Sequence, residues 1–201
     1  MNHPPLMTDQ ELVHAYQNGN DHALTELLVR YKDRIYSVIF YLVRKRELAE
    51  DLFQDCFVKI ITSLRKKNYD EQGKFLPWAL CIARNIVLDY FRTQKNRVMI
   101  RATEEWSPFD VLPERAPSPV DKMIEDEKTV AVRRMIERLP DHQREVVILR
   151  HYGGLSFKEI SKLLKININT CVGRMHYAVI ELRKMAGVPK KEMPSAASGY
   201  K

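Results

Sequence analysis

The chain has 201 residues, 45% of them hydrophobic, and carries a formal net charge of +7. That length holds two cores of about 100 residues each, and the wealth of Leu, Ile, Glu, Lys, Arg and Ala with little glycine favours helix over sheet. Three cysteines without a C-x-x-C pair, and six histidines with no Cys or His neighbour at metal spacing, argue against a disulfide framework and a zinc site.

In chain order, Thr8-Asp9-Gln10-Glu11 is a capping box that opens a first helix, with Leu12, Val13 and Tyr16 as its apolar face. Asn18-Gly19-Asn20-Asp21 ends it. A second helix is expected over 22–43, where Leu24, Leu27, Leu28, Tyr31, Ile35, Val38, Ile39 and Leu42 recur at helical spacing. Arg44-Lys45-Arg46 is a basic hinge to a third helix over 48–64, striped by Leu52, Cys56, Ile60 and Leu64 and widened by Phe53, Phe57 and Ile61. A polar loop over 66–74 leads to a fourth helix over 75–94, whose first turn accommodates Pro77 because its N–H groups need no helical partner. Residues 102–121 then lose the helical period, and Pro108, Pro113, Pro117 and Pro119 recur in an acidic stretch, the composition of a flexible, partly extended linker. Helices resume over 128–139, from 141 to the Gly153-Gly154 break, over 157–164 and over 168–184. The fold class is all-α: a four-helix domain at 8–98, a linker at 99–121, a second helical domain at 122–186 and a disordered tail at 187–201. No apolar run reaches the ~18 residues of a membrane span. The first five residues lack the basic and apolar regions of a signal peptide, so a cytoplasmic chain without membrane insertion is expected.

Three segments carry candidate function. The first is the final helix pair. Ser156-Phe157-Lys158-Glu159 is a second capping box, Asn167 can cap the next helix, and Cys171, Met175, Ala178 and Leu182 give that helix a buried face. Asn169, Thr170, Val172, Gly173, His176 and Tyr177 lie on its other side, with Arg174 on the flank. This is the layout of a helix-turn-helix whose second helix enters the major groove, and equally of an ordinary helical hairpin. Charge separates the two readings. Basic against acidic residues number 15 against 12 over 1–100, 3 against 8 over 101–127 and 15 against 6 over 128–201, so attraction to phosphate is strongest in the last third.

The second segment is Ala49 to Lys59. Asp51 and Asp55 share a helix face with Gln54 beside them, and Glu50 lies next to it. Such a face suits docking on a basic partner, a merely solvated surface, or a carboxylate site for Mg²⁺; the last lacks further convergent acids. The third runs from Phe75 to Arg92. Tyr69 precedes it, and Trp78, Tyr90 and Phe91 interleave with Arg84, Asn85, Arg92, Lys95 and Arg97. Aromatics among basic residues suit the stacking of unpaired bases, and they also suit a core.

Together these segments resemble the bacterial extracytoplasmic-function sigma factors. The resemblance rests on Ala49-Glu50-Asp51-Leu52-Phe53-Gln54-Asp55-Cys56-Phe57, on Phe75 to Arg92, on Leu139-Pro140 with Arg144, Val146 and Leu149, and on Leu155 to Ala178, in that order along residues 8–184. It implies no catalytic residue, metal or cofactor. It implies docking on the clamp helices of the RNA polymerase largest subunit through Asp51, Leu52, Gln54 and Asp55. It implies opening and reading of the minus-ten element through Asn68, Tyr69, Trp78, Arg84, Asn85 and Arg92. It implies reading of the minus-35 element through Lys158, Asn169, Thr170, Val172, Gly173, Arg174, His176 and Tyr177, with contact to the polymerase flap. Promoter DNA and the polymerase core are the implied partners, with an anti-sigma factor in many relatives. Departures from the family pattern fall at Ala79, Ser161, Lys165 and Cys171, and at Val172 and Gly173, which leave few bidentate donors for base edges. A stand-alone helix-turn-helix regulator would not need the first domain, and a metal-dependent nuclease would use Glu50, Asp51 and Asp55.

Overall fold

The computed structural model describes residues 7–66, 69, 74–98 and 127–187. Eight helices are present among them: α1 (Asp9–Gln17), α2 (Asp21–Val43), α3 (Arg46–Arg65), α4 (Phe75–Val98), α5 (Glu127–Glu137), α6 (Asp141–His151), α7 (Phe157–Leu164) and α8 (Ile168–Met185). Sequence spacing places all eight, with ends that coincide or are displaced by up to four residues. The expected acidic linker, most of the 66–74 loop, and the tail beyond 187 lie outside the described residues.

Local chemistry sets the helix ends. Thr8 accepts the N–H of Glu11 while the Glu11 carboxylate accepts the Thr8 N–H at 2.7 Å, so the first capping box closes in both directions. Asn20 accepts the His22 N–H at 3.1 Å to start α2. Arg44 ends α2 in the left-handed region, φ 59°, ψ 5°, with its N–H donating to the Phe40 carbonyl at 2.8 Å. That conformation, which an L residue adopts at a cost, turns the chain into α3 within two residues.

Helices α1 to α4 enclose one core. Leu12, Leu27, Ile35, Ile39, Leu42, Ile60, Leu64, Phe75, Leu80 and Phe91 are all fully buried there. Cys56 belongs to the same core, where burial pushes its thiol up to about 12. The buried cluster continues into the second domain, where it is smaller. Val146, Ile148 and Leu149 of α6 meet Ile160 of α7 and Cys171 and Ala178 of α8. Arg144, although buried, is satisfied: it donates to the Glu137 and Leu139 carbonyls at the end of α5 and binds Asp141.

The two domains are packed on one another, α6 against α2 and α7 against α4. Arg84 donates to Glu145 at 2.6 Å, and Lys74 to Glu159 at 2.6 Å. The Tyr41 and Tyr152 rings stack with centroids 3.7 Å apart, and the Arg133 guanidinium lies 4.4 Å over the Phe40 ring. Arg44 reaches the Glu137 carbonyl at 3.4 Å, so the exposed end of α5 is met from both domains. Gly153 makes the approach possible. A Cβ there would sit 3.0 Å from Leu80 of α4 and 2.6 Å from the Leu149 carbonyl, both too close.

Candidate polymerase and nucleic-acid interfaces

The acidic face of α3 is built by helical spacing alone. Leu52, Cys56 and Ile60 turn inward, and Asp51, Gln54 and Asp55 are left in solvent. Leu52, grouped with them by family resemblance, is 5% exposed; it packs in the core and also lines the groove beside Asp55. Asp55 shares a shallow groove between α3 and α4 with Lys59, Ile86, Asp89 and Tyr90. Glu50 is held by Arg46 at 2.9 Å, one turn back. Among the described residues no three His, Cys, Asp or Glu side chains converge as metal ligands.

Along α4 the structure separates residues that spacing had grouped. Asn85 and Arg92 are exposed, Arg92 lying 3.4 Å from Asp89. Arg84 is instead engaged across the domain boundary by Glu145, a pair in which both side chains are largely covered. Tyr69 is 6% exposed, its ring edge-on to Trp78 at 4.8 Å and 6.3 Å from Phe75. Its ring therefore stacks on protein and not on a base in this arrangement, and Trp78 is half-buried beside it. Asn68, and the side chains of Lys95 and Arg97, lie outside the described residues.

The α7–α8 pair is the best-defined element. Ser156 accepts the Glu159 N–H at 3.3 Å, and the Glu159 carboxylate accepts both the Ser156 N–H at 2.8 Å and its hydroxyl at 2.7 Å. Burial pushes the Glu159 carboxyl up, but the Lys74 ammonium and the two Ser156 donors outweigh it and hold the group down at about 2. Lys165 forms the turn in the left-handed region, φ 55°, ψ 44°, and Asn167 caps α8 by accepting the Asn169 N–H at 2.8 Å. With Cys171 and Ala178 buried, α8 presents Asn169, Thr170, Val172, His176 and Tyr177 to solvent, with Gly173 and Arg174 half-exposed and Lys158 exposed on α7. The outward face is thus open along its first three turns, the part of a recognition helix that meets base edges.

Sequence reasoning missed Glu145, Glu159, Tyr41 and Tyr152 as residues that fix one domain on the other. Their partners are far off in sequence, 61 residues for Arg84–Glu145 and 85 for Lys74–Glu159. No periodicity or spacing links such positions.

Two helical domains, one with an acidic α3 face and one a helix-turn-helix, are the parts of a sigma-70-type transcription initiation factor. Residues 27–97 match sigma-70 region 2, and residues 129–183 match sigma-70 region 4. The chain is 26% identical over 182 residues to the extracytoplasmic-function RNA polymerase sigma factor SigW of Bacillus subtilis, covering 89% of this chain and 96% of that one. It is 31% identical to the extracytoplasmic-function sigma factor BldN of Streptomyces coelicolor, over 87% of this chain and 64% of that one. Among solved structures, the sigma factor RpoE in complex with the anti-sigma factor NepR from Bartonella quintana shares the fold, with a TM-score of 0.65 at 19% identity over 83% of this chain and 98% of that one. The chain belongs to the extracytoplasmic-function sigma factor family, and it is a factor that directs RNA polymerase to promoters.

Proposed function

We propose that this sigma factor divides its work between the two domains as follows. Asp51, Gln54 and Asp55 dock on basic residues of the clamp helices of the polymerase largest subunit. Asn85, Arg92 and the segment around Asn68 meet the minus-ten element as it opens. The outward face of α8 enters the major groove of the minus-35 element, with Lys158 and Arg174 on flanking phosphates. Trapping unpaired bases is within reach, since unstacking costs only a few kcal/mol per base. Tyr69 joins that surface only if it leaves Trp78, and Arg84 brings its Nε–H to it only by leaving Glu145. The protein acts by binding alone, without a catalytic residue, metal or cofactor. It works in the cytoplasm, where polymerase and promoter DNA are. An anti-sigma factor is a further partner on this reading, as it is for the RpoE structure.

The observation that carries the reading is the coexistence of two exposed faces of different chemistry. One is acidic, on α3, and the other is open and polar, on α8 in the basic domain. A stand-alone helix-turn-helix regulator has use for the second alone. The test is Asp51→Lys with Asp55→Lys. Both side chains are exposed, so the fold should keep its stability to within about 0.5 kcal/mol per site. Like charges at the docking face should lower affinity for core polymerase more than a hundredfold, which is about 2.7 kcal/mol. Run-off transcription should fall with it, while duplex binding by α8 persists. Native holoenzyme assembly by the double variant would refute the docking assignment.

A further inference from the structure

The first three turns of α8, Ile168 to Tyr177, contain one basic residue, Arg174, and it is half-buried. Arginine and lysine are the usual readers of guanine, through paired bonds to O6 and N7. Arg174 is poorly placed for that use beside Val172: two residues apart on a helix, they point about 160° away from each other. Beside the polar Asn169, Thr170 and His176, the outward face carries an apolar edge. Ile168 and Val172 lie one turn apart on the same flank, 44% and 43% exposed. Next to Val172 stands Gly173, and a Cβ built there meets nothing within 4 Å. Neither crowding nor a left-handed backbone requires glycine at that position, where it weakens the helix. Its effect is to lower the surface beside Val172, so that the helix backbone can come close to whatever it faces.

Val29, Val58 and Val132 are also exposed, and a lone surface valine needs no explanation. Val172 differs in place. It is on the fifth residue of the second helix of a helix-turn-helix, in the most basic part of the chain, with Lys158, Lys162 and Lys165 exposed on the preceding helix and turn. Phosphate attraction thus comes from the surroundings, while the groove-facing helix carries no donor at Val172. A valine neither donates nor accepts a hydrogen bond. The one group on a major-groove edge that gains from it is the C5-methyl of thymine.

We infer that Val172 is a specificity-determining residue that reads a thymine methyl in the minus-35 element, with Gly173 permitting the close approach. The inference rests on the assignment of α8 to that element. The experiment uses holoenzyme and a duplex selected by it from a library randomised upstream of a fixed minus-ten region. Each thymine of the selected upstream element is then replaced singly by deoxyuridine, which removes only the methyl group. For the wild type, one replacement should weaken binding about fivefold. Val172→Ala should bind the all-thymine duplex about fivefold more weakly, and the same deoxyuridine should then have no further effect. Val172→Thr, which keeps one methyl, should restore part of the sensitivity. Selection of an element without thymine, indifference of the wild type to every deoxyuridine, or undiminished sensitivity in Val172→Ala would each overturn the inference. Failure to form holoenzyme, or selection of no upstream element, would instead sink the assignment on which it rests.

Discussion

The α3–α4 region and the α7–α8 region treat their functional side chains differently. On α4 and before it, groups suited to nucleic acid are occupied: Tyr69 by Trp78, Arg84 by Glu145. On α8 the outward face meets only solvent from Asn169 to Tyr177. The first region is part of a large core in which aromatics supply packing, and the second is a short helix pair too small to bury both sides of α8. A large core draws candidate residues inward, whereas a thin domain leaves them where spacing puts them.

That comparison can be broken most directly at the aromatics. Phe75→Ala removes a fully buried ring and should cost about 3–5 kcal/mol of stability, read by thermal or denaturant unfolding, whereas Val172→Ala should stay within about 0.5 kcal/mol. Equal losses at the two sites would mean that α8 is packed after all. A smaller effect is expected at the join between the regions. Glu159→Gln should cost about 1 kcal/mol at neutral pH through the weakened capping box and the Lys74 pair. Because the folded Glu159 titrates at about 2, below its ordinary value near 4.5, its contribution is complete above about pH 4.5 and is lost as the pH falls through about 2. The difference in melting temperature between wild type and Glu159→Gln should therefore close with acidification, and a constant difference would exclude the carboxylate as its source. The smallest effect should come from Lys165→Gly. The left-handed turn suits glycine, so this variant should gain up to about 1 kcal/mol without altering α7 or α8. A loss would show that the Lys165 side chain contributes more than its backbone costs.

Most of the fold was legible because its signals are local. Thr8 and Ser156 each stand three residues before a glutamate, and both close the capping boxes that this spacing implies. The stripe Leu52, Cys56, Ile60 and Leu64 is the buried face of α3. The extension of α4 to Val98 was not legible, since Thr93 to Val98 offers no apolar stripe to mark it. In the candidate sites, exposure was readable on α8, where Cys171 and Ala178 fix which side turns inward. It was not readable for Tyr69 or Arg84. An aromatic ring serves a core and a base stack equally well, and an arginine binds Glu145 by the same geometry as it binds a phosphate.

The Arg84–Glu145 bond has a thermodynamic corollary. Arg84 lies on α4 and Glu145 on α6, so an anion that takes the Arg84 Nε–H from outside must displace the carboxylate and leave it largely covered and unpaired. Occupancy at α4 and the seating of α6 on α2 are therefore coupled equilibria. Coupling free energies are reciprocal: whatever lifts α6 away raises the affinity of Arg84 for an external phosphate by the same factor that the phosphate, once bound, favours the lifted state.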